Sequence, residues 1–214
     1  MRKYKRYSKF SNNIIVSHVQ NNLREYIIAA IIFVIGILLG IVFVNNLNNT
    51  QSDEIKTYID EAIAGFKGND NINKLIILKN EIQSDFLLTV LLWLLGSTVI
   101  GLLLVYLIVC FKGFCLGYTI SAVVFSIGTG KAVIFLLSTI FLKHLISIPA
   151  ILALAVSGMK LYKSIMQDRR KENVKLEVIR HTLFSLFILL ILIASSIIEV
   201  YVSQSIFTYC LKYL

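Results

Sequence analysis

The sequence predicts an all-α membrane protein, a bundle of about five transmembrane helices, and three observations carry that reading. Hydrophobic residues fill 57% of the 214 positions, only 15% are charged and mean hydropathy is +0.79, which lies outside the range of soluble globular domains. No Asp or Glu occurs between Asp85 and Asp168. The apolar runs are long and unbroken, which suits helices with internally satisfied backbones and not the short alternating strands of a membrane barrel.

A hydrocarbon core of about 30 Å needs roughly 20 apolar residues per helix. The expected spans are residues 26–44, 86–109, 113–128, 132–159 and 182–202. Ahead of the first, residues 1–25 form a basic cytoplasmic segment whose Arg2-Lys3-Tyr4-Lys5-Arg6 looks like the start of a secretory signal. Phe43-Val44-Asn45 lacks the small residues a signal peptidase needs, so this span reads as an uncleaved anchor.

Residues 45–85 are expected to form an extracytoplasmic helical hairpin, with seven acids against four lysines. Ile55, Tyr58, Ile59, Ala62, Ile63 and Phe66 recur at helical spacing and paint one apolar stripe. Ser52 suits an N-cap, with Asp53 and Glu54 at the positive helix end, and Gly65, Gly68 and Asn69-Asp70-Asn71 suit a stop. A second helical stretch, residues 72–81, leads to the next span. The stripe either packs on the protein's own spans or docks an extracytoplasmic partner. Without His or Cys the hairpin carries no hydrolase machinery.

Spans one to three carry small residues one turn apart: Gly36-Ile-Leu-Leu-Gly40, Ser97-Thr-Val-Ile-Gly101 and Gly113-Phe-Cys-Leu-Gly117. Such pairs let helix backbones approach closely, either within the bundle or in a homo-oligomer. Lys112 and Lys131 mark expected turns between spans. The fourth span, residues 132–159, is too long for one straight crossing, about 42 Å at 1.5 Å per residue, and holds Lys143, His144 and the only proline, Pro149. It is expected to be kinked or re-entrant near 143–149, its polar middle facing the bundle. Within the spans, Glu199 is the one carboxylate expected to reach Lys143.

Counted by the expected sides, 14 basic residues are cytoplasmic and 6 are not, which places the amino terminus inside and the carboxyl-terminal tail, residues 203–214, outside. The net charge of +9 then reports topology and contact with anionic lipid at the cytoplasmic face, where residues 160–181 form a basic loop. No nucleic-acid-reading motif accompanies it. Cys110, Cys115 and Cys210 have neither metal-ligand spacing nor a disulfide pattern.

No catalytic, cofactor-binding or metal-binding set is expected. Gly128-Thr-Gly130-Lys131 fails the phosphate-loop pattern, with no glycine at the first position of the frame and Ala132 in place of the hydroxyl residue. Ser97 with His144 is the nearest approach to an intramembrane serine protease, and nothing beside them activates the serine.

Trp93-Leu-Leu-Gly96, Phe111-Lys112-Gly113-Phe114-Cys-Leu-Gly117-Tyr118-Thr119 and His144-Leu-Ile-Ser-Ile-Pro149-Ala150-Ile151, with His18-Val-Gln-Asn-Asn-Leu ahead of span one, follow one another in an order that resembles the stage II sporulation protein M family. Ser147 stands in the stretch where the wider superfamily often carries Glu. The resemblance implies a role in endospore formation: a mother-cell septal membrane protein that holds stage II sporulation proteins D and P, whose peptidoglycan degradation drives engulfment. The expected function is therefore a non-enzymatic scaffold. A transporter subunit with a substrate path at the fourth-span break is the alternative.

Overall fold

A computed structural model describes residues 20, 22–68, 74–98, 101–139, 141–167 and 171–203, and every regular element among them is helical. The order is α1 (Leu23–Asn45), α2 (Asn49–Gly68), α3 (Lys74–Gly96), α4 (Gly101–Ile127), α5 (Thr129–Thr139), α6 (Phe141–Gln167) and α7 (Lys171–Ile198), closed by a π-helical turn, Glu199–Ser203. Four stretches are long and apolar enough to cross a membrane: Leu23–Asn45, Gly101–Ile127, Phe141–Met166 and Val174–Val202. The chain is a multi-pass membrane protein.

α3 matches α1 in length, but Lys74, Lys79, Glu81 and Asp85 in its first half lower its hydropathy. It lies inside the bundle all the same. Ser196 and Thr182 of α7 bond Asp85 and Trp93 of α3, so these two helices run antiparallel. Glu81 meets Lys143, and Gly96 meets Gly158, so α3 runs parallel to α6. Leu88 and Leu92 of α3, Val105 and Val109 of α4, Leu154, Val156 and Met159 of α6, and Ile188 and Leu192 of α7 form one core. α6 is its centre.

α1 reaches this core mainly through α4. A Cβ on Gly36 would collide with the Cys110 carbonyl, on Gly40 with the main chain at Phe114 and Tyr118, on Gly113 with the Phe33 carbonyl and on Gly117 with the Ile37 carbonyl. The contacts advance together along both chains, so the pair is parallel. Four glycines expected to serve close packing thus do so within one chain, and Phe43 stacks edge-on against Phe114 at 5.6 Å.

Several boundaries differ from those read in the sequence. The turn expected at Lys112 is absent, because α4 runs unbroken from Gly101 to Ile127 and joins residues assigned to two spans. Gly113, read as the start of a new span, instead faces α1. The chain turns after Gly96, where Ser97 Oγ donates to the Trp93 carbonyl (3.0 Å), Thr98 Oγ to the Leu95 carbonyl (3.0 Å), and the Gly101 N–H to the Thr98 carbonyl (3.1 Å). Small hydroxyl residues that bond their own backbone compete with helix continuation. Ser97 and Gly101 therefore build a turn and not a helix interface.

The fourth span also differs. The helix is not interrupted near 143–149: α6 runs through Lys143, His144 and Pro149. Pro149 removes only the donor for the Leu145 carbonyl, and the helix tolerates that loss. Gly128, at φ +81°, makes the preceding turn, and the Lys131 turn becomes the first turn of α5. α2 begins at Asn49, placing Ser52 inside the helix and not at its cap; Gln51 Oε1 accepts the Asn48 N–H at 3.3 Å. The second hairpin helix merges into α3. The basic loop of residues 160–181 is mostly the ends of α6 and α7, with Arg169 and Arg170 outside the described residues. Most of residues 1–25 and of 203–214, including Cys210, also lie outside them.

Candidate functional site

Three helices bring polar side chains to one end of the bundle. Glu81 and Asp85 stand four apart on α3 and share a face. Lys143 and His144 sit in the first turn of α6, where the helix dipole disfavours a cation. Ser195 and Ser196 end α7, and Glu199 opens the π-helical turn.

Lys143 Nζ donates to Glu81 Oε2 and lies 2.8 Å from Glu199 Oε2. Glu199 Oε2 has no aligned hydrogen bond among the described residues, so the second contact is an ion pair in distance and charge rather than a directed bond. The two carboxylates offset both the desolvation of the ammonium and the unfavourable dipole. Glu199 is the partner expected for Lys143, whereas Glu81 was assigned to the outside hairpin and missed.

One turn deeper, Asp85 is 5% exposed. Ser196 Oγ, fully buried, donates to its Oδ2 at 2.7 Å, and Thr89 Oγ donates to the Asp85 carbonyl at 2.8 Å. Lys112, expected at a turn, is instead a half-buried residue in the middle of α4. The signal in the sequence was the i, i+4 pair Glu81 and Asp85 on an apolar background.

Pro149 does not join this cluster. It borders two apolar cavities of about 400 and 390 Å³. The first, between α4, α5 and α6, has eight apolar lining residues and His144.

At the opposite end, Trp93 Nε1 donates to Thr182 Oγ1 at 3.0 Å, and Ser157 Oγ is 2.9 Å from His181 Nδ1. Gly96 and Gly158 face each other beside the His181 ring, where a side chain on Gly96 would strike it. This is the serine–histidine contact the protease reading sought, but from other residues than Ser97 and His144. Both are buried in helix packing, which leaves a substrate carbonyl no approach. Lys163 pairs with Glu25, and Glu177 with Lys160 (3.6 Å) and Arg180 (2.9 Å), which ties α1, α6 and α7 together at this end.

The stripe on α2 turns inward. Ile55 and Ile59 are half-buried against Tyr118, Ala122 and Val123 of α4 and Phe135 of α5, while Tyr58 is 74% exposed. The side chains of Ala62, Ile63 and Phe66 lie outside the described residues. Ile55 and Ile59 therefore face α4 and α5 and not the open surface.

The sequence profile described as stage II sporulation protein M matches residues 29–204, from α1 to the π-helical turn. The chain belongs to the stage II sporulation protein M family. The matched region runs from within α1 through all the later helices and includes the Lys143 cluster. An uncharacterized protein of Methanocaldococcus jannaschii is 28% identical over 190 residues, covering 86% of this chain and 97% of its own. No solved structure matches.

Proposed function

We propose that this protein is a non-enzymatic membrane scaffold that holds a septal peptidoglycan-degrading complex during forespore engulfment. Membership of the stage II sporulation protein M family supports a sporulation-related membrane role. The observation that carries the scaffold reading is the mounting of α2, an acidic amphipathic helix, on the ends of α4 and α5 beside the apolar bundle. In this reading α1, α3, α4, α6 and α7 make five crossings, with the amino terminus inside and the carboxyl terminus outside. α2 and the Lys143 cluster then face the extracytoplasmic side of the mother-cell septal membrane. The basic ends of α6 and α7 meet anionic lipid at the cytoplasmic face.

Stage II sporulation proteins D and P are the proposed partners, and wall cleavage belongs to them. The ion cluster of Lys143, Glu81 and Glu199 locks the outer ends of α3, α6 and α7 as a rigid mount. A transporter subunit is the second reading, favoured by one feature, the buried carboxyl of Asp85 within the bundle.

Gentle detergent purification of the tagged protein from sporulating cells, followed by mass spectrometry, separates the two. The scaffold predicts co-purified wall hydrolases. An ATPase or a solute-binding protein in their place would favour transport.

A further inference from the structure

α2 does not close on the helices beneath it. Ile55 and Ile59 face Ala122, Val123 and Phe135, yet a cavity of about 400 Å³ remains between α2, α4 and α5. Unfilled apolar space forfeits dispersion contacts, so a helix that served only to cover this surface would be expected to settle into it. Residues with polar groups, Glu54, Tyr58, Tyr118 and Thr119, are among those that line it. Apolar walls with a few convergent polar groups are the usual make-up of a binding pocket.

The charge above the pocket is one-sided. Asp53, Glu54, Asp60 and Glu61 are all exposed on α2. Lys56, the one lysine among the described side chains of α2, is drawn aside, its ammonium 5.1 Å from the centre of the Phe125 ring. Tyr58 borders both the pocket and the acidic face. A rigid amphipathic aromatic so placed is a typical interface anchor.

We propose that this pocket seats an extracytoplasmic protein segment that presents a bulky apolar side chain flanked by Lys or Arg. The apolar side chain enters between Ile59 and Ala122, and the flanking cation meets Glu54 and Glu61. Tyr58 covers the junction. The acidic rim selects against the phosphate of an anionic lipid and steers a cationic segment towards the mouth. The proposal rests on the scaffold reading for the side of the membrane on which α2 lies.

The test uses the full chain in nanodiscs and a random-peptide phage library as the probe. Enriched peptides are then titrated against the wild type, Thr119→Trp, and the pair Glu54→Gln with Glu61→Gln. Thr119 is exposed at the pocket and its hydroxyl bonds only the Cys115 carbonyl of its own helix, so Trp there blocks the mouth without entering the core. Ala122→Phe, which fills the pocket from its floor, serves if Thr119→Trp fails to insert. The expected winners carry an aromatic or large aliphatic residue next to Lys or Arg and lose roughly tenfold or more in affinity to the blocked variant. The charge variant is expected to weaken binding and to flatten its salt dependence. Winners without that pattern, or winners that bind the blocked variant as tightly as the wild type, would overturn the proposal. So would a phospholipid retained by the wild type and lost from the blocked variant in native mass spectrometry. Wall hydrolases that co-purify equally with wild type and Thr119→Trp would leave the scaffold standing and remove the pocket. If none co-purifies with the wild type while peptides of the expected pattern bind, the pocket stands and the scaffold falls.

Discussion

Lys143 links two of the acids at its end of the bundle, pairing with both Glu81 and Glu199. Removing a buried partner from such a set leaves uncompensated charge, which typically costs 3–5 kcal/mol. Lys143→Gln should destabilise the protein by about 3 kcal/mol, near the low end because both glutamates keep some solvent contact. Thermal unfolding in detergent measures it, and adding Glu81→Gln and Glu199→Gln should recover much of the loss. An unchanged unfolding temperature in the single variant would mean that the cluster contributes nothing to holding the three helices. Much of this site was legible as a question, since a lysine in an apolar run demands a partner. The answer was hidden because Glu81 and Asp85 sit where the chain still looks like a soluble loop, and only the third dimension places them beside α6.

At the scale of the element, glycines decide which helices meet. Gly36, Gly40, Gly113 and Gly117 were readable as packing residues, but sequence spacing does not say whether the partner helix is the chain's own or a neighbour's. Here the partner is internal. Gly117→Val should therefore drive a side chain into the Ile37 carbonyl and separate α1 from α4, at a cost of roughly 1–3 kcal/mol or more. A cysteine pair across the α1–α4 contact that cross-links in the parent but not in the variant would record it. Gly128 has a backbone reason instead, since its φ of +81° is strained for any L side chain. Gly128→Ala should cost about 1–2 kcal/mol in the same unfolding assay, although nothing stands within 4 Å of its missing Cβ. A neutral result would place the turn's stability elsewhere. Turn positions were the least legible feature: Lys112 looked like punctuation, whereas the hydroxyls of Ser97 and Thr98 supply it.

The whole molecule was legible as an all-helical membrane bundle because composition and run length constrain a chain in lipid so tightly. Internal order was less so. In the apolar run from Phe86 onward the hydropathy dip at Gly96-Ser97-Thr98 is shallower than the one at Lys112, so the sequence places the span boundary about half a helix beyond the real turn, and α4 is one rod. That rod sets α1 in place and offers Tyr118 and Ala122 to α2. The bundle thus presents one acidic and one basic end, which suits a fixed mount for partners on the acidic side. The most direct measurement of that claim follows tagged wall hydrolases in sporulating cells that lack this protein. The account predicts that the hydrolases disperse from the septum and engulfment stalls, with both restored by the wild-type chain. Hydrolases that remain at the septum and complete engulfment without it would contradict the scaffold.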